Sequence, residues 1–336
     1  MEEQMAKDIT LADIAAVVGV SNVAVSKALS GKPGVSEELR ARIKQTAEEL
    51  GYVSGKGSAA KTGNVGVIIP EHYYGYSVSF YRQLYEYVVK ALYGQKLFGI
   101  LELLTGEDEA AGNMPKVMQE GKVDGLILLG QIQESYIKKM VQQTELPVFF
   151  LDTYMSSVPI DTVISDGYHG TYLLTNYLIQ QGHRKIAFVG NPDATSSIAD
   201  RYWGYRRALR EKQIPFEAGW EIPDRDRAGR DYKIALDPAQ KIDAYVCNSD
   251  FTAYNLMQQL KERGISVPED VSVVGFDDFL AMEIEDNRIT SYKVDMERMA
   301  QVCVESLLKK IRKEPYTQGI QIVTGKIVPK ETVKAK

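Results

Sequence analysis

The sequence predicts an α/β protein in which an N-terminal three-helix headpiece precedes a two-lobed core of parallel sheets. Three observations predict this. Residues 10–35, TLADIAAVVGVSNVAVSKALSGKPGV, have the spacing of a helix, a tight turn and a second short helix. From Asn64 onward, continuous Val/Ile/Leu runs alternate with amphipathic stretches, as expected of strands buried on both faces and covered by helices. The 336 residues exceed one small domain, and a hydrophobic content of 44% is ordinary for a folded chain.

In the headpiece, Thr10 and Ser21 stand where the two helices need N-caps. Ala15 is small enough for a close helix crossing, and Gly19, four residues on, takes the sharp turn at little cost. Val25 and Leu29 pack the second helix inward. Asn22, Val23, Ser26 and Lys27 then face outward, and Ala24 lets the backbone approach a partner closely. A helix of this kind lies in a DNA major groove with its N-terminal end toward base edges. An ordinary αα-hairpin would also satisfy the small-x-x-x-Gly spacing; both caps and the outward polar set favour DNA. A third helix, capped by Ser36 and ended by Gly51, closes the core with Leu39, Ile43, Ala47 and Leu50.

Charge limits this reading. The chain carries −5 overall. Residues 1–62 hold eight Lys/Arg (Lys7, Lys27, Lys32, Arg40, Arg42, Lys44, Lys56, Lys61) against eight acids. Phosphate contacts must therefore come from a few cations and from helix N-termini. Residues 53–63, VSGKGSAAKTG, form a linker without large apolar residues, from which Lys56 and Lys61 reach backbone phosphates. The expected domains are thus 6–52, 53–63 and 64–336.

Nine core strands are expected: 64–70, 96–104, 123–130, 146–152, 160–166, 185–190, 244–248, 271–276 and 320–328. Helices fill the gaps at 79–93, 167–181, 201–213, 250–263 and 295–312. So many strands suit two α/β lobes, one about 64–152 plus 282–312 and the other about 153–281 plus 317–330. A ligand then sits at the carboxyl ends of the strands. Cys247 and Cys303, far apart in apolar runs, read as buried thiols of a reducing compartment. No apolar run reaches the roughly 18 residues of a membrane span, and no signal-like stretch opens the chain, so a cytoplasmic protein is expected.

With these stretches in place, the sequence resembles the lactose-repressor (LacI/GalR) family of bacterial transcription regulators along nearly its whole length. The resemblance rests on TLADIAAVVGVSNVAVSKALSGKPGVSEELR, AEELGY, FYRQLYEYV, VDGLILLG, LPVFFLD, QQGHRKIAFVG, RYWGYRRAL, RGISVPEDVSVVGFDD and ITSYKVDMERMAQ, in the family's order. It implies a homodimer on an inverted-repeat operator, with a core like the periplasmic sugar-binding proteins that takes a small sugar-like effector. A sequence-specific regulator of the repressor type is expected. Three stretches depart from the family pattern. The linker lacks the leucine of the family's hinge helix, so weaker operator bending is expected. Ser249-Asp250 replaces an Asn-Asp pair, with Asn248 one place early. Val328-Pro329-Lys330-Glu331-Thr332 lacks the family's arginine.

The resemblance makes Arg201, opening RYWGYRRAL, the core ligand contact; a guanidinium can grip vicinal hydroxyls or a carboxylate through two parallel hydrogen bonds. Asp277 and Asp278 end a strand at the ligand rim, Asp277 as contact and Asp278 as helix cap. Asp152 takes the matching rim of the first lobe. Asp250 begins a helix, as cap or contact. Tyr73 or Tyr74 with Phe80 would line the cleft, because sugar rings present C–H faces to aromatic planes. Trp220, in a strand-like stretch, closes over ligand or joins the core. An enzyme, for instance a glycosidase using Asp277 and Asp278, and a sugar-binding protein without a transcriptional role are the rival readings. The usual form of the latter is exported, and this chain has a headpiece and no signal-like stretch. Adjacent residues cannot face each other across the roughly 5–9.5 Å that chemistry needs. His72, His169 and His183 lack metal-ligand spacing, and no nucleotide or nucleophile-elbow motif occurs, so neither metal nor cofactor is expected.

Overall fold

A computed structural model describes residues 9–29, 34–50, 62–74, 79–226, 233–280 and 288–336. The chain divides into two compact units, Met1–Thr62 and Gly63–Lys336.

The first unit holds α1 (Leu11–Val18), α2 (Asn22–Leu29) and α3 (Glu37–Glu49). Thr10 begins α1 with a reciprocal cap: its hydroxyl accepts from the Asp13 N–H at 3.3 Å, and the Asp13 carboxylate accepts from the Thr10 N–H at 2.8 Å. Gly19 ends α1 in the left-handed region at φ +78, and its N–H donates to the Ala15 carbonyl at 2.9 Å. The chain turns 105° between α1 and α2, within the range of a helix-turn-helix. Ser21 accepts from the Ala24 N–H at 3.2 Å, and Ser36 from the Leu39 N–H at 3.3 Å. Ile14, Ala15, Val18, Val25, Ala28, Ile43 and Ala47 form the buried core, with Leu29, Leu39 and Leu50 half-buried around it. Helix α3 is closed by Leu50; Gly51, its expected terminator, lies outside the described residues, as do Lys56, Lys61 and most of the linker.

The second unit begins with β1 (Asn64–Pro70), α4 (Glu71–Tyr74), α5 (Phe80–Gly94), β2 (Phe98–Leu104), α6 (Gly106–Ala111) and α7 (Lys116–Gln119). It continues through β3 (Gly125–Leu129), α8 (Glu134–Gln143), β4 (Val148–Leu151) and β5 (Asp161–Ser165). Next come α9 (Gly167–Gln180), β6 (Ile186–Val189), α10 (Ser196–Glu211), β7 (Glu221–Ile222), β8 (Ala244–Cys247), α11 (Asp250–Glu262) and β9 (Ser272–Asp277). The last elements are β10 (Thr290–Lys293), α12 (Met296–Arg312), β11 (Ile320–Val323) and β12 (Lys326–Val328). Two six-stranded sheets result, in the orders β11-β5-β4-β3-β1-β2 and β12-β10-β9-β8-β6-β7. All pairings are parallel except β10 with β12.

Sheet membership corrects the expected lobe boundaries. β5 belongs to the first sheet and β10 to the second, and β11 returns to the first. The chain therefore crosses between lobes three times, near 166, 294 and 325. The expected final strand 320–328 is really two, one per lobe. β7, only two residues long, lies in the strand-like stretch around Trp220 but is not among the nine expected strands, and β10, reading TSYK, carries too little apolar pattern to be seen. β10 is nonetheless buried over its first three residues, because a strand inside a sheet buries polar side chains whose hydrogen bonds are met.

Candidate DNA-recognition helix and ligand cleft

On α2, Asn22, Val23, Ser26 and Lys27 are exposed, Ala24 is partly buried, and Val25 and Ala28 are buried. Val23 is 63% exposed although apolar. Val17 on α1, not singled out from sequence, is as open, because Ile14, Ala15 and Val18 take the inward positions of that helix. The Thr10 and Ser21 side chains cap their helices and are themselves exposed.

In the second unit, Arg201 lies in the second turn of α10, which begins at Ser196 rather than at the arginine itself. Thr195 is the cap, its hydroxyl accepting from the Ile198 N–H at 3.2 Å. The Arg201 side chain is buried. Nη1 donates to the Asn248 carbonyl at 2.5 Å and Nη2 to the Asp277 carboxylate at 3.2 Å. The guanidinium carbon sits 4.0 Å from the centre of the Phe276 ring. Nε has no partner among the described residues. Asp277 ends β9 with φ +105, a backbone region that L-residues rarely adopt. Burial pushes its carboxyl up to about 7, against the lowering pull of Arg201.

The other rim mirrors this. Asp152 follows β4 with φ +65 and is also buried. One carboxylate oxygen accepts from the Tyr81 hydroxyl at 3.1 Å; the other has no partner among the described residues. Burial raises it to about 6, with Arg201 opposing from the facing lobe. Beside Asp152 runs a row of rings: Tyr73 is 4.6 Å from Tyr81 and Tyr81 is 5.4 Å from Phe80. Phe80 meets Phe279 of the other lobe edge-on at 6.5 Å. Burial also lifts the Tyr73 hydroxyl to about 12. A second bridge between lobes runs from the Tyr154 hydroxyl to Asp200 at 2.9 Å.

The structure thus gathers Arg201, Asp277, Asp152, Tyr73 and Phe80. Three further expected residues serve elsewhere. Tyr74 turns to Tyr85, 6.5 Å away, and lies under the Arg82 guanidinium. Trp220 ends a short 3-10 helix (Ala218–Trp220) and is 1% exposed, so it is core and not a lid over ligand. Asp250, the first residue of α11 behind the Ser249 cap, accepts from the Phe279 N–H at 2.8 Å. Its other oxygen lies where a Cβ on Gly275 would stand, so it braces the loop after β9. Asp278 does not cap a described helix: Lys330 at 2.8 Å and Lys293 at 3.6 Å hold it. The Asn248 carboxamide donates to Asp224 at 2.8 Å and to the Val189 carbonyl at 3.1 Å. Burial opposes ionisation of Asp224, but Arg225, Thr252 and Asn248 together hold it below the usual carboxylate range.

Sequence reasoning missed Tyr81, Tyr154, Asp200 and Phe279. Tyr81 and Asp200 adjoin residues it had chosen, Phe80 and Arg201; nothing local marks Tyr154 or Phe279. Both cysteines are buried free thiols. Among the described residues no His/Cys/Asp/Glu group could hold a metal ion, and no single helix is long and apolar enough to cross a membrane.

Known proteins share this architecture. The profile for bacterial regulatory proteins of the lacI family matches residues 10–54, and that for a periplasmic binding protein-like domain matches residues 175–333. The HTH-type transcriptional repressor PurR of Vibrio atlanticus is 26% identical over 333 residues, covering 97% of this chain and 98% of that protein. The HTH-type transcriptional regulator RegA of Clostridium saccharobutylicum is 26% identical over 335 residues, covering 96% and 98%. Among solved structures, the transcriptional regulator CelR in complex with cellobiose superposes with a TM-score of 0.68 at 25% identity, covering 96% of this chain and 99% of that one. The lac repressor dimer bound to operator shares the fold with a TM-score of 0.67 at 22% identity, over 98% and 100%. With a helix-turn-helix unit, a two-sheet binding-protein core and relatives matched end to end, this chain is similar along its whole length to the lacI family of bacterial transcription regulators.

Proposed function

We propose that this chain acts in the cytoplasm as a homodimeric repressor whose hold on an inverted-repeat operator is set by a small sugar-like effector between the core lobes. The observation that carries the effector site is Arg201. It is a buried guanidinium with one unpartnered N–H, held over Phe276, and its charge is felt by Asp152, whose carboxylate has one unpartnered oxygen. A donor and an acceptor, both dry and unmet, suit a ligand rich in hydroxyl groups. Tyr73 and Phe80 supply aromatic faces for its C–H surface. A relative of this architecture has been solved with cellobiose. On the headpiece, Asn22, Val23 and Ser26 read bases, Lys27 meets a phosphate or a guanine edge, and Ala24 permits close approach. Thr10 and Ser21 orient the two helices at the backbone.

The enzyme reading has less support. Asp277 is committed to Arg201 and Asp278 to two lysines, so the adjacent pair does not form two carboxylates facing across a sugar.

Thermal unfolding with a panel of mono- and disaccharides, cellobiose included, tests the proposal together with band shifts on duplexes selected from a random pool. A saccharide that raises the melting temperature and alters operator binding is expected. No response to any saccharide, or turnover of one, would overturn the effector assignment. Failure to select any sequence would overturn the operator assignment.

A further inference from the structure

Two arginines counted among the headpiece cations, half-buried Arg40 and exposed Arg42, donate to the ends of neighbouring helices. Arg40 on α3 donates through Nη1 to the carbonyls of Ala28 at 2.9 Å and Lys27 at 3.2 Å. Its side chain is 12% exposed, with Glu37 3.3 Å from Nε. Arg42, two residues on, donates through Nη2 to the Val18 carbonyl at 3.0 Å. These carbonyls close the last turns of α2 and α1, where intrahelical donors run out and the helix dipole is negative. Helix α1 carries no basic residue in its own last turn. α3 therefore supplies from a distance a cationic C-cap that α1 lacks locally, and adds a second cation to the end of α2, which carries Lys27 in its own last turn.

We propose that Arg40 is a positioning residue for DNA reading and not a phosphate contact. It holds the recognition helix by its C-terminal carbonyls and so fixes the angle at which Asn22, Val23 and Ser26 are presented; Arg42 holds α1 in the same way. The inference rests on the DNA-reading function proposed above. To reach a phosphate, the Arg40 guanidinium would have to abandon two carbonyls at once and leave the half-buried end of α2 without a donor. The phosphate footprint then falls to exposed Lys27 and Lys44 and to the helix N-termini.

The two roles differ in salt dependence and in specificity. A phosphate contact adds about 0.9 to the slope of log K against log salt and supports all DNA alike. A positioning residue adds nothing to that slope and supports only the correct sequence. The full chain, wild type and Arg40→Met, is titrated against a duplex selected with the wild-type protein and against a scrambled duplex of the same composition, at several salt concentrations. The expected result is an about tenfold loss on the selected duplex, little change on the scrambled one and an unchanged salt slope, with Arg42→Met showing the same pattern more weakly. A parallel loss on both duplexes with the slope reduced by about 0.9 would make Arg40 a phosphate contact and overturn the proposal. So would a parallel loss with unchanged slope and diminished helical circular dichroism, which would leave Arg40 a role in folding alone. Unchanged binding to both duplexes would overturn it as well. A wild-type chain with no preference for the selected duplex would instead defeat the DNA-reading function itself, before any variant is considered.

Discussion

The two lobes of the core meet the cleft with aspartates in equivalent places and give them opposite company. Asp152 and Asp277 each lie at the carboxyl end of a parallel strand, each with positive φ, each buried and raised in pKa. Asp277 is hydrogen-bonded to the guanidinium of its own lobe, Asp152 to the neutral hydroxyl of Tyr81, with the Arg201 charge acting on it from across the cleft. The first lobe adds a row of aromatic rings; the second adds Arg201, with Asn248 and Asp224 behind it. Charge is thus fixed by one lobe and flat apolar surface is supplied by the other. Under the proposed function, a ligand bridging them would stabilise their closure through both, and coupling to a distant site needs only that closure and opening differ in free energy.

This division of labour can be broken most directly at Arg201. Arg201→Ala strips Asp277 of its cation inside a buried site, a change on the order of 3–5 kcal/mol. Effector affinity measured by calorimetry should fall by more than about hundredfold, while operator affinity in the absence of effector stays near wild type. An effector response preserved at wild-type concentrations would remove Arg201 from the site.

Next in size is a pH effect carried by the paired aspartates. Their folded pKa values, about 7 for Asp277 and about 6 for Asp152, exceed the reference value of 3.8. Between those limits the native protein holds protons that the unfolded chain has released. The stability this contributes is complete below about pH 4 and is lost as pH rises through the folded values. In denaturant titrations, the stability of Asp277→Asn relative to wild type should therefore climb from about pH 4 to about pH 7 and then level off. A difference that does not change with pH would show that Asp277 titrates like an exposed carboxylate.

The aromatic lobe should yield smaller losses. Tyr73→Ala removes a stacking face, worth about 0.5–1.5 kcal/mol beyond area, so effector should bind roughly three- to tenfold more weakly. A loss equal to that of Arg201→Ala would erase the distinction between the lobes. Smallest is Tyr81→Phe, which takes one hydroxyl from Asp152 and should cost about 1 kcal/mol of stability. An unchanged melting temperature would mean that water replaces that donor without cost.

Much of the molecule was legible along the chain wherever neighbours in sequence decide the outcome. The headpiece is made of local decisions: Thr10, Ser21 and Ser36 cap the next turn, and Gly19 takes the one backbone angle that favours glycine. The buried strands announced themselves by unbroken apolar runs, β1 at its observed bounds. Asp277 and Asp152 stood out as polar residues at the ends of such runs, and Arg201 through the family resemblance. Tertiary structure alone decided what those residues met. β5, β10 and β11 changed lobes because strand partners are chosen across the sheet, by hydrogen bonding that leaves no periodic trace in a four- or five-residue segment. Trp220 became core, Asp250 became a loop brace, and Tyr81 and Phe279 joined the cleft through contacts between residues far apart in the chain. The sequence by itself determined which side chains could carry charge or stack and which segments must be buried. Packing the two sheets, linked by three chain crossings, decided which of them face one another, because side-chain direction depends on a register that only the assembled sheet fixes.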